Sequence, residues 1–335
     1  MSRTIKGETV QKYLDGKFAD LPINTLALKI YKENSLLFPN KEAVRCAIRY
    51  YKGKMGQSNR KAATHPTAKG EEAIKHNIGN PYHLPESDEE VWEPFILPSG
   101  KKYLVLSDIH IPYHTISAVT LALEKGKKEG VDAILLNGDI LDAYSLSRYE
   151  KDPRKRRFSE ELQACREFLG VLKKEFDLPV YYKLGNHEDR YESFLRLKAP
   201  ELLDMSEFKL DVLLRFREYN ATLIQDDRVI KAGNLNILHG HEFGRSVFSP
   251  VNPARGYYMR SKTNTLCGHN HQTSEHTEPN LNGKITTTWS TGCLCELHPR
   301  YMRVNKWNHG FAIVEIGKDG NFEVKNHRII NGKVR

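Results

Sequence analysis

The chain has 335 residues, 39 % of them hydrophobic, and a formal net charge of +9. That length supports one sizeable core plus a small second domain, and no apolar run nears the roughly 18 residues that a membrane span needs. Residues 1–70 carry 14 Lys and Arg against 5 Asp and Glu, so the rest of the chain is neutral. Such a pattern suits an appended module that meets a polyanion. The five cysteines, an odd number in a long chain, argue against a disulfide framework and for reduced thiols. Residues 1–6 lack the apolar stretch of a secretory signal. A cytoplasmic protein without a membrane partner is expected.

Taken in chain order, residues 1–55 read as a basic helical domain. Asn24 is a candidate cap for a helix through Glu33, with Leu26, Ile30 and Leu28 apolar. Pro39 and Asn40 mark a new start, and the next helix runs from Lys41 to about Lys52, stopping at Gly53. Val44, Ile48 and Tyr51 form its apolar face at helical spacing. Arg45, Arg49 and Lys52 recur on another face. A packed helix with a basic outer face resembles the recognition helix of a helix-turn-helix, so these three residues are expected to meet nucleic acid. A solvated basic face is the bland alternative.

Residues 56–97 are polar, rich in Pro and Gly, and without sustained periodicity, which reads as a linker. From residue 98 to 335 short β-rich runs alternate with amphipathic stretches, as in an α/β fold. The runs cover residues 103–106, 133–136, 180–184, 235–238 and 265–267. Helices are expected over 117–129 and 159–175, and further strands over 285–289 and 311–315.

Each of the five runs stops in a polar cluster: Asp108 and His110; Gly138, Asp139 and Asp142; Gly185, Asn186, His187 and Glu188; His239, Gly240 and His241; Gly268, His269 and His271. In open α/β sheets ligands bind beyond the carboxyl ends of strands, so the five clusters should converge. Oxygen and imidazole donors without thiolate suit Mn, Fe, Zn, Co or Ni. Seven such donors are too many for one four-coordinate site and about right for two cations that share a carboxylate, the arrangement that clamps attacking and leaving oxygens in phosphoryl transfer. In the Asp-x-His and His-x-His pairs, alternation along an extended segment would put both side chains on one side.

These five motifs, over residues 101–275, resemble the signature of the calcineurin-like metallophosphoesterases: D-x-H, G-D-x-x-D, G-N-H-[DE], an H-G strand end and G-H-x-H. The resemblance implies a four-layer α/β/β/α sandwich, here preceded by the small all-α, helix-turn-helix-like domain. It implies two divalent metal ions, with manganese first in order. Asp108, His110, Asp139 and His271 would hold one. Asp139, as bridge, would hold the other with Asn186, His239 and His269. The family's ligand is the His directly before Gly, which selects His239 and leaves His241 either to support the ligands from behind or to face substrate. His187 would be the acid that protonates the leaving oxygen, or would stabilise the transition state, with Asp142 orienting it and raising its pKa. The nucleophile would be a metal-bridging water or hydroxide.

Substrate is less defined, because fold does not settle it. Protein phosphatases of this superfamily carry Arg-Gly after the second Asp of G-D-x-x-D, whereas Ala143 and Tyr144 follow Asp142 here. The stretch around residues 144–149, with 151–153 and 185–190, resembles phosphoesterases of phages and prophages. Arg148, Arg190, His241 and Arg245 are the candidates to meet substrate phosphates. The reading is a metal-dependent phosphodiesterase acting on nucleic acid. The alternative is a phosphomonoesterase acting on a nucleotide or a phosphoprotein.

Overall fold

The computed structural model describes residues 5–16, 18, 21–52, 85, 92–149, 151–152, 154, 157–225, 227–244 and 251–335. They fall in two compact units, residues 1–89 and 90–335. Most of the expected linker, residues 56–84 and 86–91, lies outside the described residues, as does the expected helix stop at Gly53.

The first unit is all-α: α1 (Ile5–Leu14), α2 (Ile23–Glu33) and α3 (Lys41–Tyr51). Val10, Leu26, Ala27, Ile30, Phe38, Val44 and Ile48 are its buried core. Asn40 caps α3, its side chain accepting from the Ala43 N–H at 2.8 Å, as its place before the helix leads one to expect. The expected cap at Asn24 is not formed. Pro22 stands at the N-cap of α2, so Asn24 falls within the first turn, where its side chain is exposed. Pro22 begins the helix because its fixed φ needs no N–H partner there.

The second unit is built on two sheets. One has seven strands in the order β13-β12-β11-β2-β3-β4-β5: Lys333–Val334, Phe322–Ile330, Gly310–Ile316, Lys101–Leu106, Ala133–Asn137, Val180–Lys183 and Ala221–Ile224. The other has six, β1-β6-β7-β8-β10-β9: Phe95–Ile96, Ile230–Ala232, Leu235–Leu238, Thr265–Cys267, Ile285–Ser290 and Ser274–Pro279. Strand β1 pairs in parallel with β6 and Leu97 is buried. The last residues of the expected linker are therefore part of this unit.

Strict alternation along the strands makes the layers. Tyr103, Val105, Ala133 and Leu135 face the second sheet and pack with Ile237, Leu266 and Trp289. Leu104, Leu106, Ile134 and Leu136 face the other way. They meet the helices α4 (Ile116–Glu129), α5 (Phe158–Phe176) and α6 (Asp189–Lys198). On the outer side of the six-stranded sheet, α7 (Pro253–Ser261) supplies Tyr257, which packs on Leu238 and Cys267. The result is the expected α/β/β/α sandwich.

A buried ion pair joins the two sheets. Lys183, the last residue of β4, is 1 % exposed. Its Nζ lies 2.9 Å from Glu242 Oε1 and donates to the Arg228 carbonyl at 2.9 Å. Glu242 in turn accepts from the His239 and Gly240 N–H groups beyond β7. Removing the cation strands a carboxylate in a dry place. Lys183→Met is expected to lower unfolding free energy by about 3–5 kcal/mol in urea titration; a loss below about 1 kcal/mol would show that the pair does not hold the sheets together.

Candidate metal centre

The strands β2, β3 and β4 of one sheet and β7 and β8 of the other end immediately before the five motifs. The polar clusters thus converge where the carboxyl ends of the two sheets meet. The backbone does not reach them by extended alternation, as the sequence reading supposed. Asp108, His110, Asp139, His269 and His271 all have positive φ, between 52° and 68°. The ends of β2, β3 and β8 thus turn into left-handed backbone, which Asp and His tolerate better than most residues and which clusters at functional sites. These turns aim the two side chains of each pair at a common point.

Close backbone approach needs glycine at two places. A side chain at Gly138 would run into the His239 ring, and one at Gly185 would fall on Asp139 Oδ1.

At one side of the centre His110 Nε2 and His271 Nε2 are 3.2 Å apart, and His271 Nε2 is 3.1 Å from Asp108 Oδ1. Donor atoms of Asp108, His110 and Asp139 lie within 4.8 Å of one another. At the other side the same limit encloses Asp139, His239 and His269, with His239 Nε2 3.3 Å from Asp139 Oδ2. Asp139 is common to both groups. Asn186 sits between Gly185 and His187, whose N–H donates to Asp139 Oδ1 at 2.9 Å.

Two observations test whether cations fit. The buried atoms Asn186 Oδ1, His239 Nε2 and His269 Nδ1 have no hydrogen-bond partner, a costly state unless something else satisfies them. Imidazole nitrogens about 2.0–2.1 Å from one zinc-like ion lie about 3 Å apart, the spacing seen between His110 and His271. Electrostatics agree. Burial lowers the His239 and His271 pKa values, but the Asp139 and Asp108 carboxylates outweigh it and bring them up to about 10 and about 9. At His269 burial and the neighbouring His239 win, down to about 4. The two carboxylates demand positive charge, which divalent ions supply. The donor set fits.

Hydrogen bonds from the far ring nitrogens orient the ligands, as in other metal sites. His239 Nδ1 donates to the Asn137 carbonyl at 2.9 Å. His110 Nδ1 donates to Asp142 Oδ1 at 2.9 Å. The same carboxylate oxygen lies 3.0 Å from His187 Nδ1. Asp142 therefore serves two histidines, whereas the sequence reading gave it one. Between burial, which lowers it, and the charges of Asp139 and Asp142, which raise it, the His187 pKa ends up raised.

Of the expected substrate residues, Arg190 reaches the site, donating from Nη1 to the Asp142 carbonyl and from Nη2 to His187 Nε2 at 2.8 Å. His241 lies 3.4 Å from Asp189 and 3.3 Å from Asp227, with its ring centroid 5.3 Å from that of His239 and 6.3 Å from that of His269. Arg148 is exposed and lies over the Tyr149 ring. Arg245 lies outside the described residues.

Residues 101–288 match the family model of the calcineurin-like phosphoesterases. The chain belongs to that family. That family points to a hydrolase of phosphoric esters and to divalent metal, and the second unit carries the motifs at its strand ends. The chain is 26 % identical over 231 residues to the Gene 54 protein of Mycobacterium phage L5, covering 65 % of this chain and 89 % of that protein. It is similar to a solved Vps29 mutant from Entamoeba histolytica, at 15 % identity, 70 % and 96 % coverage and a TM-score of 0.36. A dimetal phosphatase from Danio rerio matches at 14 % identity, 69 % and 96 % coverage and a TM-score of 0.33.

Sequence reasoning gave Glu188 of this phosphoesterase no role. The residue is buried, and its carboxylate accepts from the N–H groups of Asp139, Ile140, Leu141 and Gly185 and from the Tyr182 hydroxyl, at 2.8–3.0 Å. The motif's fourth letter was its only local signal. Glu188→Gln puts an amide N–H₂ against those donors. It is expected to lower stability by about 2–4 kcal/mol and to lose metal on dialysis; a variant that unfolds like the wild type and keeps its metal would contradict this role.

Proposed function

We propose that the protein is a metal-dependent phosphodiesterase acting on nucleic acid, with Asp108, His110, Asp139, Asn186, His239, His269 and His271 holding two divalent ions. The observation that carries this reading is the convergence of these donors around Asp139 with buried lone pairs that lack partners. Manganese is the first choice for such a set of oxygen and imidazole donors. When bound, two divalent cations lower the pKa of water and neutralise charge on phosphoryl oxygens.

The chain's own residues supply the rest. His187 Nδ1 is held by the Asp142 carbonyl and carboxylate, leaving Nε2 to carry a proton to the leaving oxygen. That nitrogen now accepts from Arg190. A guanidinium and an imidazolium cannot both donate along that line, so a proton on Nε2 requires Arg190 to turn to another acceptor. A substrate phosphate is such an acceptor, and bidentate pairing suits arginine.

Nucleic acid as substrate is supported by the first unit. Arg45, Arg49 and Lys52 line one groove with residues 21–24 at the N-terminus of α2, where the helix dipole also favours anions. Arg45 is also paired with Glu42 at 2.6 Å.

Chelated protein is expected to cleave neither bis(p-nitrophenyl) phosphate nor DNA or RNA, and added manganese should restore cleavage. His187→Ala should reduce kcat by about 10²–10⁴-fold, and Asp139→Asn should abolish turnover. Wild-type rates in either variant would refute the assignment, and a strong preference for monoesters would move the reading to a nucleotide or phosphoprotein phosphatase. Deleting residues 1–55 should weaken nucleic-acid binding and flatten its dependence on salt; unchanged binding at 50 and 200 mM salt would remove the module from the account.

A further inference from the structure

Beside the metal centre, residues 297–307 form a loop whose side chains the reaction has not yet used. Trp307 packs edge-on against the His271 ring, with centroids 4.1 Å apart. Tyr301 stands 6.4 Å beyond Trp307, again edge-on. An aromatic row thus runs outward from a metal-ligating imidazole. Tyr301 is 69 % exposed and Val304 95 %, so the outer end of the row is open to solvent. Crowding around the Tyr301 hydroxyl, and then the charges of Asp142 and Asp139, raise its pKa, while Arg190 lowers it.

The loop is built to hold this row in place. Asn305 Nδ2 donates to the carbonyls of Leu297 and Met302, and its Oδ1 accepts from the Trp307 N–H. The Asn308 N–H donates to the His271 carbonyl at 2.9 Å, tying the loop to the metal ligand itself. Arg300, Arg303 and Lys306 alternate with the aromatic residues and are exposed. Arg300 lies 3.9 Å from Asp152.

We infer that Tyr301, buttressed edge-on by Trp307, offers the stacking face for an unpaired nucleobase whose phosphodiester lies at the metal centre. This rests on the phosphodiesterase reading and narrows it to substrates with an accessible base. Flat aromatic faces beside cationic side chains are the combination that binds single-stranded nucleic acid: rings stack on bases while Arg and Lys follow the phosphates. A base inside a duplex cannot present its face to such a wall. The occupant is a base from a single strand, and a nucleotide ester offers the same chemistry.

The test compares the manganese-loaded full chain with Tyr301→Ala and Tyr301→Phe. The substrates are a single-stranded thymidine oligomer, an abasic oligomer of equal length, thymidine p-nitrophenyl phosphate and bis(p-nitrophenyl) phosphate. Wild type is expected to show a KM about tenfold lower for the base-bearing strand than for the abasic one. Tyr301→Ala should bring the two close to equality, and Tyr301→Phe, which keeps the ring, should retain the preference. A Tyr301 effect already present on the thymidine ester supports a nucleotide as source of the base; an effect confined to the oligomer supports a strand. A wild type that cleaves the small diester but treats both strands alike overturns the platform alone, as does a preference that survives in Tyr301→Ala. A wild type that cleaves no diester overturns both readings.

Discussion

The buried carboxylate of Glu188 is the constraint on which the catalytic end of the fold depends. Its five hydrogen bonds fasten the turn after β3 to the end of β4. That turn carries Asp139, which stands between the two groups of donors. A buried carboxylate is costly unless its oxygens are satisfied, and here the donors that satisfy it are the backbone groups whose positions matter. The Lys183–Glu242 pair does the same for the second sheet, since Glu242 holds the His239 and Gly240 N–H groups. Two buried acids thus fix the two halves of one site, each by gathering backbone donors.

With those turns fixed, strain is tolerated at the candidate donors. Five of them sit in left-handed backbone, a conformation that costs about 1–3 kcal/mol at a non-glycine residue. Local hydrogen bonds offset part of it. Asp108 N–H donates to the Gly138 carbonyl, His110 N–H to the Asp139 carbonyl, and Leu294 N–H to the Asp108 carbonyl. These bonds link the motifs to each other, so displacement of one would disturb its neighbours. Preorganisation of this kind lets side chains meet an ion or a phosphoryl group without rearranging.

Much of this was legible in the sequence, and what was missed has a physical reason. The runs that became β2, β3, β4, β7 and β8 are buried on both faces, so they stand out as apolar. Strand β9 is Ser274–Pro279, polar and exposed along most of its length, because it lies at a sheet edge; it left no hydrophobic signal. The candidate donors followed from their chemistry and from the motifs' resemblance to a family, whereas the turns that gather them did not. Nothing in Asp-x-His distinguishes extended from left-handed backbone. The partners of Glu188, Lys183 and Glu242 come from different strands, and non-local contacts of that sort have no periodicity to read. The packing of Trp307 on His271 is likewise a tertiary fact.

The central claim is a two-ion centre bridged by Asp139. Anomalous diffraction at the manganese edge, from crystals of the full chain grown with that ion, tests it without reference to substrate. The account predicts two peaks about 3.5–4 Å apart. One should lie among Asp108, His110, Asp139 and His271, and the other among Asp139, Asn186, His239 and His269. A single peak, or a pair that does not share Asp139, would contradict it.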